Sequence, residues 1–324
     1  MRYHALGSTG VEVSCIGVGT ATFGVAPLAA DCDGLIGRAL DLGINLIDTA
    51  NSYGNQARFD RAGAPPASAR ASAEEIVGRA LGSRRRDVVL CTKVMEPVGD
   101  GPNMRGLSRR HIVEQVEISL RRLGTDHIDV YYAHHPDPTT PIEQTLRAFD
   151  DLVRQGKILY GALSTFPAWQ VTEALWQADR LGTAAPVCNQ IAYSLANRAA
   201  EQEMLPACRR FGMGVTVFSP LAGGLLAGPA VRQRAAAGSR RWGGPGFTAG
   251  QIALAERLEA LSAESGHPPA VLALGWLVAR PGISAALVGP ETIAELEANA
   301  SAGAIDLPAE LVERVGAINP FPPP

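Results

Sequence analysis

Residues 45–54 read NLIDTANSYG, a short apolar strand that runs directly into a polar turn. Asp48 lies near the end of this strand, where an unpaired carboxylate would be costly to bury. Tyr53 follows five residues later, close enough to share a pocket with Asp48. The segment therefore predicts one of two arrangements: a reactive carboxylate–tyrosine pair, or an Asp that caps the turn beside a Tyr that packs on the rim of the fold.

Apolar strand segments of this kind alternate with helical segments along the chain, which predicts βα units and a parallel sheet. The predicted strands are Ile16–Phe23, Asn45–Ala50, Val88–Lys93, Ile128–His134, Ile158–Ser164, Val187–Tyr193, Gly214–Ser219 and Ile283–Val288. The predicted helices are Asp31–Leu42, Glu74–Leu81, Ser108–Leu123, Thr140–Arg154, Trp169–Ala178, Ala199–Phe211, Gln251–Ser265, Ala270–Ala279, Thr292–Ala302 and Pro308–Ile318.

Eight βα units indicate an α/β fold, a closed (β/α)8 TIM barrel that forms one domain over residues 1–324. We expect an N-terminal β-hairpin around Val11–Ser14 and extra helices at the C-terminal end. A doubly wound sheet is the alternative, but no GxGxxG motif follows the first strand. Ser72 with Glu75 predicts a capping box at the start of the second helix, and Gly124 should end the third.

The composition argues against several kinds of partner and location. The formal net charge is −3, the pI is near 6.1 and no basic stripe is visible, so nucleic acid is not an expected partner. Five scattered cysteines without a CxxC pair predict reduced thiols in a cytoplasmic protein, and no signal peptide is predicted. The uncharged run 211–231 contains Pro220, Pro229 and several glycines, which favours a strand and loop over a membrane span.

Polar side chains end several of the predicted strands, and in a parallel barrel these ends meet at the face that carries active sites. Asp48, Lys93 and His134 end three consecutive strands. A single Lys or His at such a position is usually a rim residue, but three on neighbouring strands beside Tyr53 indicate a site. Lys93 could pair with Asp48 and lower the pKa of Tyr53, so that Tyr53 donates a proton near neutral pH.

This set of groups suits reduction of a carbonyl, because negative charge grows on the oxygen and must be protonated. His134 could hold that carbonyl by a hydrogen bond. The set contains no nucleophile–base pair and no metal-ligand spacing, so no metal is expected. The hydride must therefore come from a cofactor.

The chain resembles the aldo-keto reductase family over nearly its whole length. The matching segments are 43–50 (GINLIDTA), Tyr53-Gly54, Thr92-Lys93, 119–129 (SLRRLGTDHID), 134–137 (HHPD), 156–158 (GKI), Asn189-Gln190 and 219–221 (SPL). The resemblance implies an NAD(P)-dependent oxidoreductase that acts on a small aldehyde, ketone, sugar-like carbonyl or the corresponding alcohol. It also implies a catalytic tetrad of Asp48, Tyr53, Lys93 and His134.

The resemblance further implies that NADP(H) or NAD(H) lies extended across the barrel mouth. Ser164 and Gln190 would hold the carboxamide, and Phe218 would stack on the nicotinamide ring. The implied cofactor contacts are Asp48, Ser164, Gln190, Phe218, Ser219, Leu221, Arg241, Gly289, Glu291, Glu295 and Asn299.

Three features depart from the family pattern. Thr165 stands where relatives usually have Asn after the carboxamide-binding Ser. Residues 56–72 form an insertion directly after Tyr53-Gly54, which we expect to shape substrate access; a disordered surface excursion is the alternative. After the eighth strand, Glu291, Glu295 and Ala298 replace residues that are usually basic or amide, amide or basic, and acidic, respectively.

The two glutamates bear on the choice of cofactor. Relatives usually prefer NADPH, whose phosphate a carboxylate repels, whereas a carboxylate accepts hydrogen bonds from the ribose hydroxyl of NADH. Arg240 and Arg241, in the loop after the seventh strand, could offset this repulsion. We expect NADH to be used at least comparably to NADPH. The alternative to an enzyme is a non-catalytic nicotinamide-binding sensor or regulatory subunit on the same fold.

Overall fold

The structure, a computed structural model, describes residues 1–234, 237–238, 240 and 244–320. Two short strands, β1 (Tyr3–Ala5) and β2 (Glu12–Ser14), form an N-terminal antiparallel hairpin. Within the described residues, eight further strands form a closed parallel barrel. They are β3 (Ile16–Gly19), β4 (Leu46–Asp48), β5 (Val89–Val94), β6 (Ile128–Ala133), β7 (Ile158–Ser164), β8 (Cys188–Ala192), β9 (Gly214–Phe218) and β10 (Ile283–Val288). The predicted TIM barrel and its hairpin are confirmed.

The strands pair in chain order, and β10 pairs with β3 to close the barrel, so their carboxyl ends share one rim. The larger part of the apolar core lies between strands and helices, and a smaller part fills the barrel. The hairpin covers the other end, where Leu6 and Val13 join the barrel interior. Gly7 has φ 58°, and a Cβ there would lie 2.5 Å from the backbone nitrogen of Gly214, so this approach requires glycine.

Helices surround the barrel, and two of them begin or end at the predicted caps. The helices are α1 (Ala29–Asp41), α2 (Ala73–Leu81), α3 (Arg109–Leu123), α4 (Ile142–Arg154), α5 (Ala168–Leu181), α6 (Met204–Phe211), α7 (Pro229–Arg232), α8 (Ala249–Ser265), α9 (Pro269–Val278), α10 (Ile293–Ser301) and α11 (Ala309–Ala317). Ser72 and Glu75 form the predicted capping box of α2. Gly124 ends α3 in the left-handed conformation, as predicted.

Several boundaries differ from the predicted ones, and three of the differences have a clear local cause. The strand predicted to reach Phe23 ends at Gly19, because the following residues turn back over the rim. Pro141 is the N-cap of α4 and does not occupy its first helical position. The helix predicted before β9 is divided into a 3-10 turn at Ala199–Glu201 and α6, because Pro206 lacks an amide donor and fits only a first helical turn.

Candidate active site

The four side chains predicted to form a catalytic tetrad meet at the carboxyl ends of β4, β5 and β6. Nζ of Lys93 lies 2.5 Å from Oδ2 of Asp48 and 3.5 Å from the hydroxyl of Tyr53. Nε2 of His134 lies 3.3 Å from the same hydroxyl. The Tyr53 hydroxyl is therefore within hydrogen-bond reach of both a cation and an imidazole.

Asp48 and Lys93 form a buried ion pair, with side chains 5% and 0% exposed. Burial disfavours the ammonium and is the largest single effect, but the charge and hydrogen bond of Asp48, together with Tyr53, outweigh it, so the pKa of Lys93 is raised. Lys93 also donates to the carbonyl of Thr49 at 2.9 Å, and Nε2 of Gln190 donates to Oδ1 of Asp48 at 2.9 Å. These extra partners offset the desolvation of the pair. Lys93 is therefore charged at neutral pH next to Tyr53.

The pKa of Tyr53 shifts in the direction opposite to the predicted one. Burial of the phenol raises this pKa by more than Lys93 lowers it, and Asp48 adds to the rise. The sequence reveals that Lys93 lies nearby and lowers the pKa of Tyr53. It does not reveal that the phenol is removed from solvent, which raises this pKa. Tyr53 is thus a neutral phenol at neutral pH, which is the form that donates a proton.

His134 is a buried, neutral imidazole. Burial and then the charge of Lys93 lower its pKa well below the usual value. Its Nδ1 has no hydrogen-bond partner within the part of the chain that the structure describes, and its Nε2 faces Tyr53. His135 stacks on it with ring centroids 4.7 Å apart, and Nδ1 of His135 lies 2.6 Å from Oγ1 of Thr165. This stack fixes the orientation of the His134 ring.

A buried carboxylate behind the tetrad supports its geometry. Glu74 on α2 accepts hydrogen bonds from Oγ1 of Thr92 at 2.7 Å and Nη1 of Arg122 at 3.2 Å. The same Nη1 donates to the carbonyl of Asn51 at 3.2 Å. Thr92 precedes Lys93, and Asn51 lies in the turn after β4. The network therefore ties together the two strand ends that carry the ion pair.

A cavity of about 550 Å³ opens beside the tetrad. The predicted cofactor contacts that line it are Asp48, Ser164, Gln190, Phe218, Ser219, Leu221, Gly289, Glu291, Glu295 and Asn299. Arg241, the remaining predicted contact, lies outside the described residues. One cavity thus joins the tetrad to the segment that follows β10.

Thr165, which replaces the family's usual Asn, has its hydroxyl engaged by the protein. Its Oγ1 donates to the carbonyl of Ser164 at 2.7 Å and lies 2.6 Å from Nδ1 of His135. Its φ of 59° is unusual for a β-branched residue and marks local strain. Thr165 therefore serves to position His135.

The part of the cavity after β10 contains ion pairs that the sequence did not predict. Glu295 pairs with Arg234, whose Nη1 also lies 3.9 Å from Glu291. Arg61, from the insertion, donates to Glu291 at 2.9 Å. Arg240 instead donates to the backbone carbonyls of Ala237 and of Arg232, the last residue of α7. Arg61 and Arg234 therefore neutralise the glutamates. The sequence instead suggested that Arg240 and its neighbour could offset the repulsion of a cofactor phosphate.

Other kinds of site find no support in the described residues. Among residues 1–234, 237–238, 240 and 244–320, no group of His, Cys, Asp and Glu side chains is arranged to hold a metal ion. No helix in the described part of the chain has the length and apolar character needed to cross a membrane. All five cysteines are buried free thiols, as their scattered positions predicted.

Comparison with known proteins shows which class of protein combines this barrel with the Asp–Tyr–Lys–His cluster and the adjoining cavity. The family model described as "Aldo/keto reductase family" matches residues 15–320. The chain belongs to the aldo/keto reductase family, as its motifs implied.

Individual relatives cover most of the chain and carry two kinds of name. The chain is 39% identical to "Uncharacterized oxidoreductase YrpG" of Bacillus subtilis (strain 168), over 99% of this chain and 97% of that protein. It is 36% identical to "Probable voltage-gated potassium channel subunit beta" of Oryza sativa subsp. japonica, over 89% and 87% of the two chains. A protein of the same name from Arabidopsis thaliana is 34% identical, over 93% and 91%.

Proposed function

We propose that this chain is an NAD(P)H-dependent carbonyl reductase, which reduces an aldehyde, ketone or sugar-like carbonyl to the alcohol or catalyses the reverse reaction. One observation carries this proposal: the Tyr53 hydroxyl lies 3.5 Å from Nζ of Lys93 and 3.3 Å from Nε2 of His134, while Asp48 holds Lys93 in place. The arrangement supplies a neutral acid, a fixed cation and a neutral hydrogen-bonding imidazole around one point.

Each group has a distinct task in carbonyl reduction. His134 orients the carbonyl oxygen by a hydrogen bond, and Tyr53 gives that oxygen its proton as negative charge develops. Lys93 then stabilises the phenolate that remains, because an adjacent cation favours the charged form of Tyr53. A reduced nicotinamide, when bound, supplies the hydride.

The cavity lining fits a nicotinamide dinucleotide. Near the tetrad it offers the polar side chains of Ser164 and Gln190 and the aromatic ring of Phe218, which suit a carboxamide on a flat ring. From the segment after β9 it offers Arg234, whose guanidinium can donate hydrogen bonds to a phosphate or to a ribose oxygen. The cofactor would therefore span the cavity from Ser164 to the neighbourhood of Arg234.

The direct test follows the absorbance of the reduced nicotinamide while the protein is mixed with a broad panel of carbonyl compounds. Oxidation of the cofactor that depends on both protein and carbonyl would support the proposal. Tight cofactor binding without turnover of any compound, in either direction, would contradict it.

A regulatory, cofactor-sensing subunit is the second candidate function. The names of the Oryza and Arabidopsis relatives favour it, since both are called probable potassium channel beta subunits. This candidate predicts cofactor binding without a requirement for catalysis. The reductase is the stronger candidate, because a sensor has no need for a general acid that is held by a buried ion pair.

We expect NADH to serve at least as well as NADPH. A 2′-phosphate needs a cation, but Arg61 and Arg234 already hold Glu291 and Glu295. A phosphate that bound either arginine would bring its negative charge beside the partly buried carboxylate that this arginine neutralises. Repulsion between two such charges is about 1 kcal/mol at 4 Å in bulk water and several-fold larger near a protein surface.

Comparison of kcat/KM for the two cofactors on one carbonyl substrate checks this expectation. Glu291→Arg should shift the ratio toward NADPH by about tenfold or more, since repulsion is replaced by attraction. Glu297→Arg makes the same change of charge at a pair with Arg38 outside the cavity and should leave the ratio within about twofold. A hundredfold preference for NADPH in the unmodified protein would show that the arginines do leave their glutamates.

A further inference from the structure

The insertion of residues 56–72 folds around one buried arginine. The Arg70 side chain is 1% exposed and donates to the carbonyls of Gly54, Gln56 and Pro65 at 2.5–2.9 Å and to Asp60 at 2.7 Å. A buried guanidinium requires such partners, and they fix the path of the surrounding backbone. This favours an ordered element over the disordered excursion that the sequence left open. The same contacts also place Arg61, the residue after Asp60, at a defined position.

That next residue, Arg61, reaches across the rim of the barrel. The insertion follows β4, whereas Glu291 follows β10, and β3 lies between these two strands in the barrel. Nη1 of Arg61 donates to Oε1 of Glu291 at 2.9 Å, with side chains 16% and 23% exposed. Glu291 lines the cavity beside the tetrad. The ion pair therefore bridges the two sides of the rim next to the cavity.

The turn after β10, which carries Glu291 and Glu295, is also held by an arginine from another segment. Glu295 accepts a hydrogen bond from the backbone nitrogen of Glu291 at 2.9 Å and pairs with Arg234 from the segment after β9. Arg234 also lines the cavity. The insertion, the turn after β10 and the segment after β9 are thus joined in sequence by ion pairs along the edge of the cavity.

From this arrangement we infer that Arg61 is a positioning residue that retains the nicotinamide cofactor. Arg61 acts through Glu291: while the pair is formed, the rim stays closed and cofactor release is slow. The inference rests on the proposed function, since it requires a nicotinamide cofactor in the cavity. It assigns to the insertion a role toward the cofactor in place of the expected role in substrate access.

Cofactor binding would itself favour the closed pair. Nη2 of Arg61 is buried and has no hydrogen-bond partner among the residues that the structure describes. A buried donor without a partner is unfavourable, and the phosphates and riboses of a dinucleotide carry many acceptors. A cofactor acceptor that reaches Nη2 would stabilise the state in which the Arg61–Glu291 pair is formed. It would not stabilise the state in which the pair is broken, so bound cofactor would shift the population toward the formed pair.

The test is the rate of NADH release, measured by rapid mixing with a displacing excess of NAD⁺ while cofactor fluorescence is recorded. Arg61→Gln should raise the dissociation rate constant by about tenfold, with the melting temperature and the KM for the carbonyl nearly unchanged. Arg38→Gln removes an exposed arginine from a surface pair with Glu297 and should leave the release rate unchanged. Added salt should speed release from the unmodified protein more than from Arg61→Gln, because salt screens the ion pair.

Glu291→Gln supplies the second arm of the test. It should raise the release rate to a similar extent, and the double variant with Arg61→Gln should show little further increase. Additive effects of the two changes, or an unchanged release rate in Arg61→Gln, would overturn this inference alone. Failure of the unmodified protein to bind any nicotinamide would overturn the proposed function and this inference with it.

Discussion

Tyr53→Phe is expected to lower turnover of a carbonyl substrate by about two to four orders of magnitude, the loss typical of a missing general acid. The substitution keeps the ring and its edge contact with Phe59, whose centroid lies 6.2 Å away. It removes only the hydroxyl that lies near Lys93 and His134. The measurement is kcat at saturating cofactor, together with the Kd of the reduced nicotinamide, which should change by less than about twofold if only the acid is lost.

Tyr3→Phe is the matched control for this substitution. Tyr3 lies on the N-terminal hairpin, and its hydroxyl donates to the carbonyl of Gly43, remote from the rim that carries the tetrad. Turnover should be unchanged in this variant. If Tyr53→Phe kept turnover close to that of the unmodified protein, the proton would have to come from another group, and the assignment of Tyr53 would be wrong.

The sequence predicted the tetrad because the fold converts a simple local pattern into a cluster. Asp48, Lys93 and His134 each follow an apolar strand, and a parallel barrel brings consecutive strand ends together. No detail of packing is needed for that step. The ranges of β7 and β10 were also predicted without any detail of packing. Each strand is a run of mostly apolar residues bounded by glycine or polar residues.

The features that the sequence did not reveal depend on solvent and on the paths of loops. The pKa of Tyr53 is set first by burial, which is a property of the assembled rim and not of the neighbouring residues in the chain. The partners of Glu291 and Glu295 come from Arg61 and Arg234, which lie in two separate connecting segments. Loops of this length have no periodic pattern from which their course could be read.

Lys93→Met is expected to lower turnover by about a hundredfold or more, because the phenolate of Tyr53 loses the cation that stabilises it. It should also lower the stability of the fold. The Asp48 carboxylate is 5% exposed, and removal of one partner from a buried pair costs about 3–5 kcal/mol. Thermal unfolding and kcat, measured on the same preparation, separate the two effects. The double variant Asp48→Asn, Lys93→Met removes both charges, so it should recover much of the melting temperature without recovering turnover.

The pH–rate profile gives a readout that a purely structural role for Lys93 would not move. In reduction the active form of Tyr53 is the protonated one, so the rate falls as pH rises through the pKa of Tyr53. That pKa lies above its ordinary value of 10.0, since burial outweighs the lowering by Lys93. Without the cation the pKa rises further, and the fall in rate in Lys93→Met should therefore move to still higher pH. A normal rate with an unshifted profile would mean that Lys93 only supports the fold around Asp48.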